Sequence, residues 1–251
     1  GNIALAQDGQ LDPGFGAGTG WVAPNLSTMS TAYDAQIAAG AALDAQGRLL
    51  VVGALFRASD TNRDCFVMRL LDTGAVDTSF AAPNGFRTIS AGLPTFPGEI
   101  CTSVLSLPDG RIVVGGAAAD ATVSRYTAMA ALLTEAGTLD TSFYGNGVFT
   151  AVSDVPATDL PDLASAIERL QIDASGRILA LGSFYVVSGT FSRSGMLLRF
   201  LLTTGQLDPG FGGEIAPGLV YLADNTDGNS FAPGGMAHDA QGRLLVQGAA
   251  G

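Results

Sequence analysis

Two short motifs each occur four times along the chain, in the same order and with the same period, and this limits the fold more than any other feature. The first is Gly-x-(Leu/Val)-Asp-x-x-Phe: Gly9 to Phe15 (GQLDPGF), Gly74 to Phe80 (GAVDTSF), Gly137 to Phe143 (GTLDTSF) and Gly205 to Phe211 (GQLDPGF). The second is Gly-Arg, an apolar run and a closing Gly, and it starts at Gly47, Gly110, Gly176 and Gly242. The Phe residues stand 65, 63 and 68 positions apart, and the starting glycines 63, 66 and 66. Fixed self-similarity of this length means a repeat architecture, in which each unit buries its apolar face against its neighbour.

Within a unit the pattern predicts four strands. A mixed run such as Ile37 to Leu43 ends in the turn Asp44-Ala45-Gln46-Gly47, and the apolar run Arg48 to Leu55 reads as a strand covered on both faces. A polar loop, Arg57 to Asp64, leads to a third run, Cys65 to Leu70, with Thr127 to Leu133 and Met196 to Leu202 as its counterparts. The Gly-to-Phe motif then turns the chain into a weaker fourth strand near Phe86-Arg87-Thr88-Ile89. Gly at 34 of 251 residues, without a collagen-like period, fits many tight turns. The expectation is an all-β chain, a four-repeat β-propeller with four antiparallel strands per blade. Its units run over about 32–95, 96–160, 161–227, and 228–251 joined with 1–31, as one domain over 1–251. Gly242 to Gly248 reads as a second strand and Ile3 to Ala6 as a third. One blade would therefore be shared by the two chain ends, closing the ring and hiding its edges. An open array, or pairing between chains, is the alternative. The chain begins inside a repeat, so an upstream segment is expected to have been removed or left out.

The formal charge is −11, from 23 acidic residues against 12 basic ones, all of them Arg. Such a surface repels phosphate backbones, so nucleic acid is not an expected partner. No apolar stretch reaches the roughly 18 residues of a membrane helix, so membrane insertion is not expected. Cys65 and Cys101 match no zinc or redox spacing; they make either one disulfide of an exported protein or two buried thiols.

Taken together, the two motifs resemble the delta-60 repeat family of bacterial proteins, whose consensus joins Asp-Gly-(Lys/Arg)-(Ile/Leu) to Gly-x-Leu-Asp-x-x-Phe-Gly. The resemblance spans essentially the whole chain. It departs in detail: only Asp109-Gly110 keeps the Asp-Gly step, and the Gly after the Phe survives as Gly16 and Gly212, with Ala81 and Tyr144 elsewhere. The resemblance implies a propeller-like architecture and an extracellular or cell-surface location, and offers no active site to carry over.

Several residues invite a chemical reading. Asp12, Asp77, Asp140 and Asp208 suggest a ring of metal ligands, but identical positions in every unit suit a turn cap better than catalysis. Phe15, Phe80, Phe143 and Phe211 read as anchors between blades. Arg48, Arg111, Arg177 and Arg243 would either ring a channel mouth, able to hold a carboxylate or phosphate, or pair with acids of their own blades. His238 is the one histidine, so no multi-His metal site exists; it stands where Leu43, Leu107 and Ile172 stand, read as buried positions. Asn225-Thr226-Asp227-Gly228 resembles part of a calcium loop, with Ala223 at the first ligand position, and an Asp-Gly turn explains it equally. Calcium is thus the one cofactor the motifs admit. Asp154, Asp159 and Asp162 form an inserted acidic loop of the kind that binds ligands in repeat proteins. Glu168 lies in an inner strand beside Arg169, where a local ion pair or a solvated edge is expected.

No catalytic set emerges from these residues. The first reading is a non-enzymatic, exported binding or scaffolding module, a monomer or part of a larger assembly, with a protein or glycan held at a loop face and exposed aromatics such as Trp21, Tyr33 or Tyr221. The alternatives are a carbohydrate-active hydrolase with carboxylates at the channel mouth, and a structural unit that polymerises by strand exchange. Fold alone does not separate them.

Overall fold

The computed structural model describes residues 9–26, 32–59, 62–93, 98–120, 125–151, 163–186, 192–212, 217–222 and 231–250. These residues are all-β. The first sheet holds β1 (Tyr33–Leu43), β2 (Leu49–Arg57), β3 (Arg63–Leu70) and β4 (Phe86–Ile89) in that spatial order. The second holds β5 (Glu99–Ser106), β6 (Ile112–Asp120), β7 (Arg125–Leu133) and β8 (Val148–Thr150). The third holds β9 (Leu163–Ile172), β10 (Ile178–Val186), β11 (Ser192–Phe200) and β12 (Leu219–Tyr221). The fourth pairs β13 (Phe231–His238) with β14 (Leu244–Ala250). Every pairing is antiparallel between chain neighbours, as hairpin-linked repeats require.

The sheets stack face to face in chain order: β5 packs on β1 to β3, β9 on β5 to β7, and β13 on β9 to β11. One register rule governs each seam, because side chains alternate between the two faces of a strand. Leu50 and Val52 of the first sheet meet Ile112 and Val114 of the second. Val113 of the second meets Ile178 and Ala180 of the third. Leu179 and Leu181 of the third meet Leu244 and Val246 of the fourth. Among the described residues the succession ends there, and no ring is closed. The expected ring joined through one shared blade draws in part on residues outside this description, Ile3 to Ala6 among them.

The first strand of each sheet carries a bulge, at Ala38/Gly40 in β1, Cys101/Ser103 in β5, Ile167/Arg169 in β9 and Pro233/Gly235 in β13. The cause lies opposite: a Cβ on Gly53, Gly116, Gly182 or Gly248 would strike the carbonyl of Ile37, Ile100, Ala166 or Ala232. The glycine lets the backbones approach, and the bulge bends the first strand.

The first seam is also covalent. Cys65 of β3 and Cys101 of β5 form a disulfide, with Cα atoms 5.1 Å apart. Beside it, Arg63 and Gly98 form a parallel backbone bridge.

Candidate functional site

The repeated Asp residues build turns. Asp12, Asp77, Asp140 and Asp208 each accept a hydrogen bond from the backbone N–H two residues on, at Gly14, Ser79, Ser142 and Gly210, over 2.8 to 3.0 Å. Two also meet a third-strand guanidinium: Asp77 Oδ2 lies 2.8 Å from Arg69 Nε, and Asp208 Oδ2 lies 2.8 Å from Arg199 Nε. The same guanidinium groups lie over the motif rings, Arg69 above Phe80 at 4.7 Å and Arg199 above Phe211 at 4.3 Å. Burial pushes the Asp77 and Asp208 carboxyls up, but the turn donors and the facing guanidinium outweigh it and hold both below the usual range. In the second unit Leu132 takes the place of that arginine, and Asp140 is lowered chiefly by the Ser142 hydroxyl.

The second-motif arginines each pair with an aspartate of their own unit. Arg48, Arg177 and Arg243 each direct Nε at an Asp four residues earlier, Asp44, Asp173 and Asp239, at 2.6, 2.7 and 2.6 Å. Arg111 pairs with Asp109 at 2.7 Å. Second nitrogens of three of them reach further acids: Arg48 to Glu135 at 3.1 Å, Arg111 to Asp140 and Arg177 to Asp208 at 3.4 Å. This network leaves Arg48, Arg111 and Arg177 poorly suited to hold a separate anion, whereas the Arg243 side chain, paired with Asp239, stays 76% exposed. The acid partners escaped the sequence reading, although Asp-Ala-x-Gly-Arg recurs at Asp44, Asp173 and Asp239 and would have pointed to them.

His238 requires a correction. Its strand partner is Leu244, which makes Leu43, Ser106 and Ile172 its counterparts by register. Leu43 is 65% exposed, so the position is not a core one and a polar residue there is ordinary. Leu107 instead matches Asp44, Asp173 and Asp239, as the shared turn hydrogen bond to the following arginine carbonyl shows. Glu168 and Arg169 form no carboxylate pair: Arg169 Nη1 donates to the Glu168 carbonyl, and the Glu168 carboxylate accepts from Ser183 Oγ at 2.6 Å. Asn225, Asp227, the acidic residues 154, 159 and 162, and Ile3 to Ala6 lie outside the described residues.

Unlike polar groups do converge at the first seam. The Tyr33 hydroxyl donates to Asp64 Oδ2 at 2.6 Å, and Arg57 Nη2 lies 2.6 Å from Asp64 Oδ1. Burial and the bond to Asp64 push the Tyr33 phenol up to about 12. Nearby Glu99 is buried; its carboxyl accepts from Ser90 Oγ and the Ala91 N–H. Burial pushes Glu99 up against those hydrogen bonds, and the charge of Asp64 adds to the rise.

Cavities open at the surface among the described residues. One, of about 660 Å³, lies between the motif turns of the second and third units and is lined by Ser142, Tyr144, Gly145, Thr204, Gln206, Leu207 and Pro217. It carries hydroxyl, amide and aromatic groups and no charge. Tyr144 occupies the left-handed region there, φ 51°, where the repeat elsewhere has Gly16 or Gly212; its ring packs on Phe143 and Phe149. Another, of about 770 Å³, covers the outer face of the first sheet and is apolar, with Leu49, Val51, Phe66 and Met68 at its floor and Trp21 at its rim. Among the described residues no cluster of three or more His, Cys, Asp or Glu could hold a metal ion. Nor is any helix among them long and apolar enough to cross a membrane.

A family model described as a domain of unknown function (DUF5122) beta-propeller matches residues 47–80 and 107–143, the core of the first and second units. The first two units are thus similar to the repeats of a beta-propeller family. No curated protein matches it. Among solved structures it is similar to a polysaccharide lyase of a new family, PL25, an ulvan lyase bound to GlcA(1-4)Rha3S. That similarity has 14% identity and a TM-score of 0.49, covering 84% of this chain and 50% of the other. The chain thus spans about half the length of that structure.

Proposed function

We propose that the chain is a four-blade propeller of the delta-60 repeat kind, one domain over 1–251, acting outside the cell as a non-enzymatic binding or scaffolding module. One observation carries the reading. The repeated charged residues pair with acids of their own or the next unit, whereas the cavity at the second and third motif turns is polar and uncharged, with the Tyr144 ring in its lining. Hydroxyl and amide groups beside a ring suit an uncharged polar ligand, a glycan or a polar loop of a protein. The Cys65–Cys101 disulfide supports an exported location.

The test is thermal unfolding against neutral and acidic glycans, calcium and chelator, with Gln206→Trp as the variant that fills the cavity. A ligand at about 100 times its Kd adds roughly 2.7 kcal/mol. The reading expects a shift with one glycan class that Gln206→Trp abolishes while the unliganded Tm holds. A shift that Gln206→Trp leaves intact would move the site elsewhere, and a calcium shift would direct attention to Asn225 and Asp227.

A second reading, a carbohydrate hydrolase, draws on the buried Glu99 with its raised carboxyl beside Asp64, Tyr33 and Arg57. Turnover of a glycan that Glu99→Gln abolishes would establish it; binding without turnover returns the account to the first reading.

A further inference from the structure

The apolar cavity on the first sheet has the shape of a missing seam. At each observed seam, the second-strand residues in phase with Leu50 pack on the next sheet's residues in phase with Leu49. The fourth sheet carries that leading face as Leu245 and Gln247, and Leu245 is 54% exposed. The first sheet carries the receiving face as Leu49 and Val51, which floor the cavity, whereas their counterparts Ile112, Val114, Ile178 and Ala180 are buried.

Both ends of the array also carry halves of one unit. The turn Gly9 to Phe15 already sits on the first sheet, with Phe15 against Gly74, as Phe80 lies against Gly137 and Phe143 against Gly205. The Gly16 N–H donates to the Thr73 carbonyl at 2.9 Å, as Ala81 does to Ala136 at 2.8 Å. Gln36 holds the same segment through the Leu26 N–H and the Pro24 carbonyl. At the other end β13 and β14 sit on the third sheet. What is missing is the contact between the halves. Phe211 has no counterpart contact at Gly9, around which a Cβ would meet nothing within 4 Å. Trp21 follows Gly20 as Phe86, Val148 and Leu219 follow Gly85, Gly147 and Gly218. It is 62% exposed, and they are 7%, 7% and 4% exposed.

We infer that the cavity on the first sheet is the seat of the chain's own fourth sheet, filled by the Leu245 face of β14, and is not a ligand pocket. This rests on the four-blade propeller proposed above and deepens it. Continuity with three observed seams of the same register selects this occupant. Trp21 is then a core residue of the shared blade, not a binding aromatic.

The test is a pair of substitutions read by thermal unfolding and by light scattering. On an open surface Leu245→Asp and Gln247→Val each change stability little. In the seat, Leu245→Asp lowers the Tm by on the order of 5–10 °C, and Gln247→Val, which restores the apolar residue found at Val52 and Leu181, raises it by a few degrees. Both shifts in a protein that stays monomeric at all concentrations are the expected result. No shift in either variant overturns the seat. Shifts that grow with protein concentration, in a dimer or larger species, overturn it in favour of a second copy. Binding at the Gln206 cavity is measured separately, so loss of the ligand reading leaves these outcomes unaffected, and the reverse holds.

Discussion

The seam between the first and second sheets and the face that the fourth sheet leaves uncovered are made from the same repeated residues, yet only one is finished. At the first seam Leu50, Val52, Ile112 and Val114 are buried, the motif aspartate Asp77 holds buried Arg69, and a disulfide ties β3 to β5. At the uncovered face Leu245, Leu11, Asp12 and Trp21 are exposed. The motif therefore specifies a turn wherever it occurs, but its apolar residues become core only when the neighbouring unit is in register. Local structure is intrinsic to a unit; burial belongs to the pair, as a stacked repeat requires.

Substitutions at equivalent residues can break that comparison. The largest contrast is expected at the motif aspartate. Asp77→Ala strands Arg69, which is 4% exposed, and should cost about 3–5 kcal/mol in chemical denaturation. Asp12→Ala removes the turn bond to Gly14 in an exposed loop and should cost about 1 kcal/mol or less. Equal losses at the two positions would mean that both units are equally complete.

Next comes the covalent seam. Replacing both Cys65 and Cys101 with Ala, which opens a link across 36 residues, should cost about 2–4 kcal/mol. A loss confined to the reduced wild type, with the double variant unaffected, would move the effect to strain or to the thiols themselves.

The smallest effect is on pH dependence, and two signs operate. The lowered carboxyls of Asp44, Asp77 and Asp208 contribute stability that is present above the unfolded value near 4 and is lost as pH falls through their folded values. The raised Glu99 works in the opposite sense: its favourable term is full below its unfolded value and is lost as pH rises through its folded one. Glu99→Gln should therefore be more stable than the wild type at pH 7, and the difference should shrink toward pH 4. A variant less stable at pH 7 would show that the charge of Glu99 is held favourably.

Much of the fold was legible in the two motifs. The second and third strands carry continuous apolar runs, so β2, β3 and their counterparts lie close to where the pattern put them. The fourth strand at Phe86–Ile89 followed from the turn before it. The first-strand bulges were not legible, because a glycine's lack of a Cβ signals close approach without naming what approaches. The alignment of His238 slipped by one residue because Leu107 replaces the Asp of the other units, and in a strand one residue exchanges the faces. The arginine ring was visible as a repeat, but its neutralisation required the acid four residues earlier. Neither cavity was legible, since each forms where two successive units meet and no motif names their relative placement.

Trp21 is the one tryptophan in the chain and stands at the unfinished face, so its fluorescence tests the central claim directly. If every unit obeys one register and the fourth seam closes within the chain, Trp21 should emit in the blue, resist acrylamide quenching, and shift to the red in Leu245→Asp. Emission and quenching like those of free indole, unchanged by that substitution, would contradict a closed fourth seam and leave an open array of three finished blades.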